Sequence, residues 1–143
     1  MTISRSSPYI AALDYGERRV GVALAHNLAA LPSPHSTLLN DDQFWPNLMD
    51  LIEREQVGVL VVGLPRGMDG QETAQTKIAR DFAAELQSKC DLPVHMQDEA
   101  VTSVQAESEL KASGKGYNKA TVDAYAATII LQDYLESLKE SQK

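Results

Sequence analysis

The chain has one cysteine, Cys90, so no disulfide can form within it. Such usage fits a reducing cytoplasm, and Cys90 reads as an inert thiol at an expected helix end. No apolar run approaches the roughly 20 residues that a bilayer span needs. Residues Met1 to Pro8 lack the apolar core of a signal peptide and read as a frayed leader. His26, His35 and His95 stand at no zinc-type spacing to one another or to Cys90, which argues against a structural zinc. The chain also lacks the Gly-Lys-Ser/Thr ending of a P-loop, any internal repeat and any sign of a second domain. One domain of 143 residues buries roughly two thirds of its unfolded surface, and 43% hydrophobic with 23% charged residues is ordinary for a soluble protein. Basic residues are scarce: 13 Lys and Arg face 20 Asp and Glu, a net charge of −7. A phosphate backbone repels such a chain at long range, so nucleic-acid binding would need a local basic patch or bridging cations.

The apolar run Tyr9-Ile10-Ala11-Ala12-Leu13 closes on Asp14, turns at Gly16 and re-enters Val20 to Ala25. This is a hairpin with an acid at its rim. After a turn at His26-Asn27 and an irregular approach through Pro32 and Pro34, a third strand falls near His35 to Leu39, giving an antiparallel meander. Asn40 to Glu55 reads as helix, with Pro46 in its opening turns. Val57 to Gly63 is apolar throughout, as in a strand covered on both faces. A breaker-rich loop, Leu64 to Gly70, precedes a helix from about Glu72 to Lys89 that is expected to bury Ala74, Ile78, Phe82 and Leu86. Pro93 to Gln97 is a fifth strand ending on Asp98-Glu99. Thr102 to Gln105 matches a capping box, with Val101 placed to staple onto Ala106, and opens a short helix to about Ala112. After a basic loop from Ser113 to Lys119, a last helix runs from about Ala120 to Leu138. Its expected inner face is Val122, Ala126, Ile129, Ile130 and Leu135. The order describes an α/β fold: a mixed five-stranded sheet, three antiparallel strands and then two parallel ones, with helices on both faces.

Acids stand at the element ends: Asp14 after the first strand, Asp98 and Glu99 after the fifth, Asp123 in the first turn of the last helix. Each alone has an ordinary explanation, as a turn cap, a solvated turn or a complement to the helix dipole. Open α/β sheets keep their sites at the carboxyl ends of strands, which would bring these acids to one edge. Several carboxylates converging there would require cations, and hard oxygen ligands suit Mg²⁺ or Mn²⁺, two of which can activate water and stabilise a leaving oxygen. Gly63-Leu64-Pro65-Arg66 with Asp69-Gly70 is either an anion-binding backbone nest or a plain strand-to-helix turn. Arg18, Arg19, Arg66, Lys111, Lys115 and Lys119 fall near the same rim, with Tyr117 available to stack on a base. They are either solvated surface charge or a phosphate-binding collar around an acidic pit.

The run Asp14-Tyr15-Gly16-Glu17-Arg18-Arg19-Val20-Gly21-Val22-Ala23 resembles the Asp-x-Gly-x-x-Arg-x-Gly-x-Ala signature of the YqgF/RuvX family. Gly63-Leu64-Pro65 with Asp69-Gly70, Asp98-Glu99 with Thr102-Ser103, and Asp123 to Leu135 resemble its later motifs in the same order. The resemblance implies an RNase H-like fold and a Mg²⁺- or Mn²⁺-dependent nuclease that matures the 5′ end of pre-16S ribosomal RNA in the cytoplasm during ribosome biogenesis. It implies metal on Asp14, Glu99 and Asp123, with Asp98 as rival to Glu99, and a basic role for Arg19. Arg66, Lys115, Lys119 and Tyr117 are the remaining candidate substrate contacts. The family's usual Arg after the Asp-Glu pair is Ala100 here, a loss that either weakens substrate phosphate binding or is offset by Arg66. Alternatives are a Holliday-junction-resolvase-like DNA endonuclease, for which a two-fold dimer rather than a monomer is expected, and a binding module of the same fold without full activity. An actin-like ATPase would need two such domains.

Overall fold

Strands form where Ile, Val, Leu and Ala run between breakers, and five of them make the sheet of the computed structural model, which describes residues 7–99, 102–114, 116 and 118–141. In chain order these are β1 (Tyr9–Tyr15), β2 (Arg19–His26), β3 (Ser33–Leu39), β4 (Val57–Pro65) and β5 (Val94–Glu99). The helices are α1 (Phe44–Arg54), α2 (Ala74–Lys89), α3 (Thr102–Ala112) and α4 (Lys119–Ser141). The spatial order is β3-β2-β1-β4-β5. β1 pairs antiparallel with β2, and β2 with β3; β1 runs parallel to β4, and β4 to β5. The expected mixed sheet is therefore present. Gly16 N donates to Arg19 O (2.9 Å) and closes the first hairpin.

The two faces of the sheet differ in side-chain size. Because strand side chains alternate, Leu13, Val20, Val22, Leu24, Leu60 and Val62 point together into a core with Phe44, Leu48, Leu51, Phe82 and Leu86 of α1 and α2. The opposite face presents Ile10, Ala12, Ala23, Ala25 and Val61 to Ala127, Ile130, Leu131 and Leu135 of α4. Mostly small residues here let α4 lie close. At 23 residues it is about 35 Å long and touches every strand. The approach is tightest at Gly21, where a Cβ would collide with the backbone of Asp123 and Ala124. α3 packs outside α4 through Ala106, Ala126 and Ile129. Among the described residues no helix is long and apolar enough to cross a membrane.

Two local expectations are corrected. α2 begins at Ala74, capped by Thr73, whose side chain accepts from Thr76 N while Thr76 Oγ1 accepts from Thr73 N. Its buried residues are Thr76, Ala79, Phe82, Ala83 and Leu86, whereas Ala74 and Ile78 are exposed. Spacing by four alone drifts about 40° per step around a helix of 3.6 residues per turn, so the stripe from Ala74 to Leu86 cannot stay on one face. The capping box and staple expected from Val101 to Ala106 involve side chains outside the described residues.

Candidate active site

Parity along the strands decides which acids meet. Asp14 follows Ile10 and Ala12 at two-residue spacing and so lies on the α4 face, partly buried at the carboxyl end of β1. In β5, His95 stacks on Tyr134 of α4 (5.8 Å between ring centroids), which sets His95, Gln97 and Glu99 on that same face. Asp98 takes the opposite face and binds Arg66 instead (Nη2 to Oδ1, 2.9 Å). The rivalry between Asp98 and Glu99 is thereby a matter of orientation: Glu99 is 7% exposed and turned toward Asp14, while Asp98 is open to solvent.

Asp123 reaches the edge from α4. Its Oδ2 accepts from Arg19 Nε at 2.6 Å, because Arg19 shares the α4 face of β2 with Gly21 and Ala23. Burial first, and then the Asp123 charge, push the Asp14 carboxyl up to about 6. Glu99 is pushed up to about 9, by burial foremost and then by Asp133, Asp14 and Asp98. Its Oε1 is buried with no hydrogen-bond partner. Asp133, which sequence reasoning did not select, lies near enough to help raise the Glu99 carboxyl. It sits three residues after Ile130 and four after Ile129, so it is an acid on the apolar stripe of α4, and that is the signal by which it could have been found.

The acids do not converge on one point as expected. Among the described residues no three Asp, Glu, His or Cys side chains stand close enough to hold an ion. They form a row of neighbouring pairs: Asp123 with Asp14, Asp14 with Glu99, Glu99 with Asp133. The reason is the sheet itself. β1 and β5 flank β4, so their ends lie two strand spacings apart, roughly 10 Å, and Arg19 draws Asp123 aside. Pairs of carboxylates still suit Mg²⁺, which takes one or two and completes its octahedron with water and substrate phosphate. An orphaned, buried carboxylate oxygen on Glu99 is what such a pair presents before a cation binds.

The basic collar is only partly free. Arg19 is paired with Asp123, and Arg66 with Asp98 and with Glu72 (3.5 Å) on the α2 side. Lys111 faces Glu107 at 3.7 Å, and Arg18 and Lys119 are exposed. Lys115, Tyr117 and Ala100 lie outside the described residues. The anion nest is not formed: Arg66 N donates to Glu99 O, Gly67 N to Gln71 O, Gly70 N to Gly67 O, and Asp69 N to the Gln71 side chain. Donors already used inside the loop cannot cradle a phosphate, so this segment is a strand-to-helix turn.

A mixed sheet with acids at the carboxyl ends of its first and last strands and on its final helix defines an RNase H-like protein of the resolvase type. Two solved structures share the fold. "T. thermophilus RuvC in complex with Holliday junction substrate" is 13% identical, with TM-score 0.53, covering 92% of this chain and 95% of that one. The Fowlpox virus resolvase with junction DNA is also 13% identical, with TM-score 0.54, covering 91% and 98%. The family model described as RuvX, Holliday junction resolvase, matches residues 8–137, and the chain belongs to that family. Among its relatives, a "Putative pre-16S rRNA nuclease" of Maridesulfovibrio salexigens is 38% identical over 130 residues, 88% of this chain and 96% of that protein. One of the same name from Koribacter versatilis is 40% identical over 131 residues, 89% and 86%.

Proposed function

We propose that this chain is a divalent-metal-dependent nuclease that hydrolyses phosphodiester bonds of precursor 16S rRNA at its 5′ end. The observation that carries the reading is the acid row itself, in which a partly buried Asp14 stands between Asp123 and a Glu99 whose Oε1 has no partner. Carboxylates are crowded this closely on the face of a sheet at a cost to stability, and that cost is offset when cations arrive. Asp14, Glu99 and Asp123 would hold Mg²⁺ or Mn²⁺, which supplies an activated water and charge neutralisation at the leaving oxygen. Arg19 adds a further part. Were Asp123 to hold an ion, the Arg19 guanidinium would stand free beside the site, where its planar fork suits a substrate phosphate. The acidic surface admits RNA through this local exchange of partners, not through long-range attraction.

The names borne by the relatives, which speak of pre-16S rRNA, favour an RNA substrate; the family's description favours a DNA junction. One experiment addresses both. Purified protein is incubated with a pre-16S leader RNA and with a four-way DNA junction, in Mn²⁺ or EDTA. Cleavage of the RNA in Mn²⁺ alone, abolished in Asp14→Asn with the thermal melt intact, is the expected result. Equal cleavage by wild type and variant would assign the activity to a contaminant, and cleavage of the junction alone would move the protein to DNA.

A further inference from the structure

The hairpin that ends β1 has a second face. Asp14 turns to α4, and the next residue, Tyr15, turns to α2, where its ring stacks on Phe82 (4.2 Å between centroids, planes 22° apart). With that ring, Glu17 of the hairpin tip and Gln75 and Ile78 of α2 line a recess of about 160 Å³. Both walls are fixed. Asn40 holds the tip twice, its backbone N donating to Arg18 O and its Nδ2 to Gly16 O, each at 2.9 Å. Thr76 ties the first turn of α2 to the end of β4 through Pro65 O. Ile78 is 44% exposed, a large apolar side chain left open beside an aromatic ring. Among the described residues, neither the Glu17 carboxylate nor the Gln75 amide has a side-chain partner, whereas nearby Gln71 and Glu72 are engaged with Asp69 N and with Arg66 and Arg80. A ring and an apolar wall with free polar groups at the edge is how proteins hold an unpaired base. A carboxylate offers acceptors only. Guanine alone among the RNA bases presents two adjacent donors, N1–H and N2–H₂, with O6 beside them for an amide donor. Uracil, cytosine and adenine each set an acceptor next to the donor, which a carboxylate repels.

We propose that this recess is a guanine pocket, which takes the base of the nucleotide whose phosphate lies at Asp14. Tyr15 and Ile78 pack against the base, Glu17 accepts from N1–H and N2–H₂, and Gln75 donates to O6. The proposal rests on the nuclease reading above and adds to it a base preference beside the cut. Asp14 and Tyr15 are consecutive, with Cα atoms about 3.8 Å apart, so a strand bound at the acid row need only carry one base over the edge of the sheet.

The test is binding of a short labelled oligouridylate, and of the same RNA with one central G, A, C or inosine, read by fluorescence anisotropy in Ca²⁺ to leave the RNA uncut. Wild type should bind the G-bearing RNA about tenfold tighter than the all-uridine one, with inosine, which lacks N2–H₂, in between. Glu17→Gln keeps the size of the side chain, and its exposed position leaves the melt at the wild-type value. In that variant the ratio of the two affinities should fall to about twofold or less. Glu53→Gln, which alters an exposed acid of α1, should keep the full preference. A wild type that does not favour G, or a Glu17→Gln protein that still does, would overturn the pocket and leave the nuclease reading standing. Failure of every RNA to bind would remove both.

Discussion

Replacing Gly21 by alanine tests the idea that α4 is held against the sheet at a distance only glycine permits. The added methyl would lie 2.9 Å from Ala124 N and closer still to the Asp123 carbonyl, where ordinary contact begins at 3.4 Å. Both neighbours are backbone and no rotamer change can relieve them, so α4 must back away by on the order of 1 Å. Overpacking of this kind costs about 1–3 kcal/mol. The Gly21 site belongs at the upper end, because a whole helix must move; about 3 kcal/mol corresponds to a fall in Tm of roughly 10 °C for a chain of this size. Gly63→Ala is the control. The atoms nearest its methyl all belong to the Ile130 side chain, with Cγ1 at 3.0 Å, and that side chain can turn. Its cost should stay near 1 kcal/mol and shrink further with Ile130→Val. Thermal and urea melts of the three variants settle the matter. Moving α4 also carries Asp123 away from Asp14, so Gly21→Ala should weaken Mn²⁺ binding when measured well below its lowered Tm. A Gly21→Ala protein melting within 2 °C of wild type, or no worse than Gly63→Ala, would refute the close approach.

The remaining predictions concern charge and capping. Asp14 titrates near 6 in the fold against 3.8 in the unfolded chain, so its contribution to stability is fully present below pH 3.8 and lost as pH rises through 6. Metal-free Asp14→Asn should therefore exceed wild type by on the order of 2 kcal/mol at pH 8, a value discounted for partial exposure, and by well under about 1 kcal/mol at pH 4; urea melts at the two pH values decide it. Arg19→Met removes the cation that competes for Asp123, so calorimetry should show Mn²⁺ binding about threefold to tenfold tighter, about 1 kcal/mol, while affinity for RNA falls; weaker Mn²⁺ binding would mean that Arg19 orients Asp123 instead of competing for it. Thr76 is fully buried and its hydroxyl donates to Pro65 O while serving the cap of α2. Thr76→Val should lower stability by about 1–3 kcal/mol through the orphaned carbonyl and lost cap, read from a thermal melt.

The strands and their order were legible because apolar runs between Gly, Pro and Asn leave few topologies, and an unbroken run such as Val57 to Gly63 belongs in the middle of a sheet. Asp14 was legible as an acid at a strand end, whereas Asp123, expected in the first turn of the last helix, lies beyond it because α4 already begins at Lys119. The choice between Asp98 and Glu99 was not, because β5 shows little alternation of its own; Val94, His95 and Met96 are all at least partly exposed, and the face is set by α4 through Tyr134. Asp133 was not selected, although its place beside the Ile129–Ile130 stripe marks it. The pairings of Arg19 and Arg66 lay beyond sequence because they join residues 104 and 32 positions apart. Such partners are chosen by strand parity, not by spacing along the chain.

Because α4 supplies Asp123 while the sheet supplies Asp14 and Glu99, the acid row of the proposed site is assembled only once the final helix has docked. A growing polypeptide with its strands already paired would hold Asp14 and Glu99 without their partner from α4. The same docking that completes the apolar packing of the sheet therefore also completes the acid row.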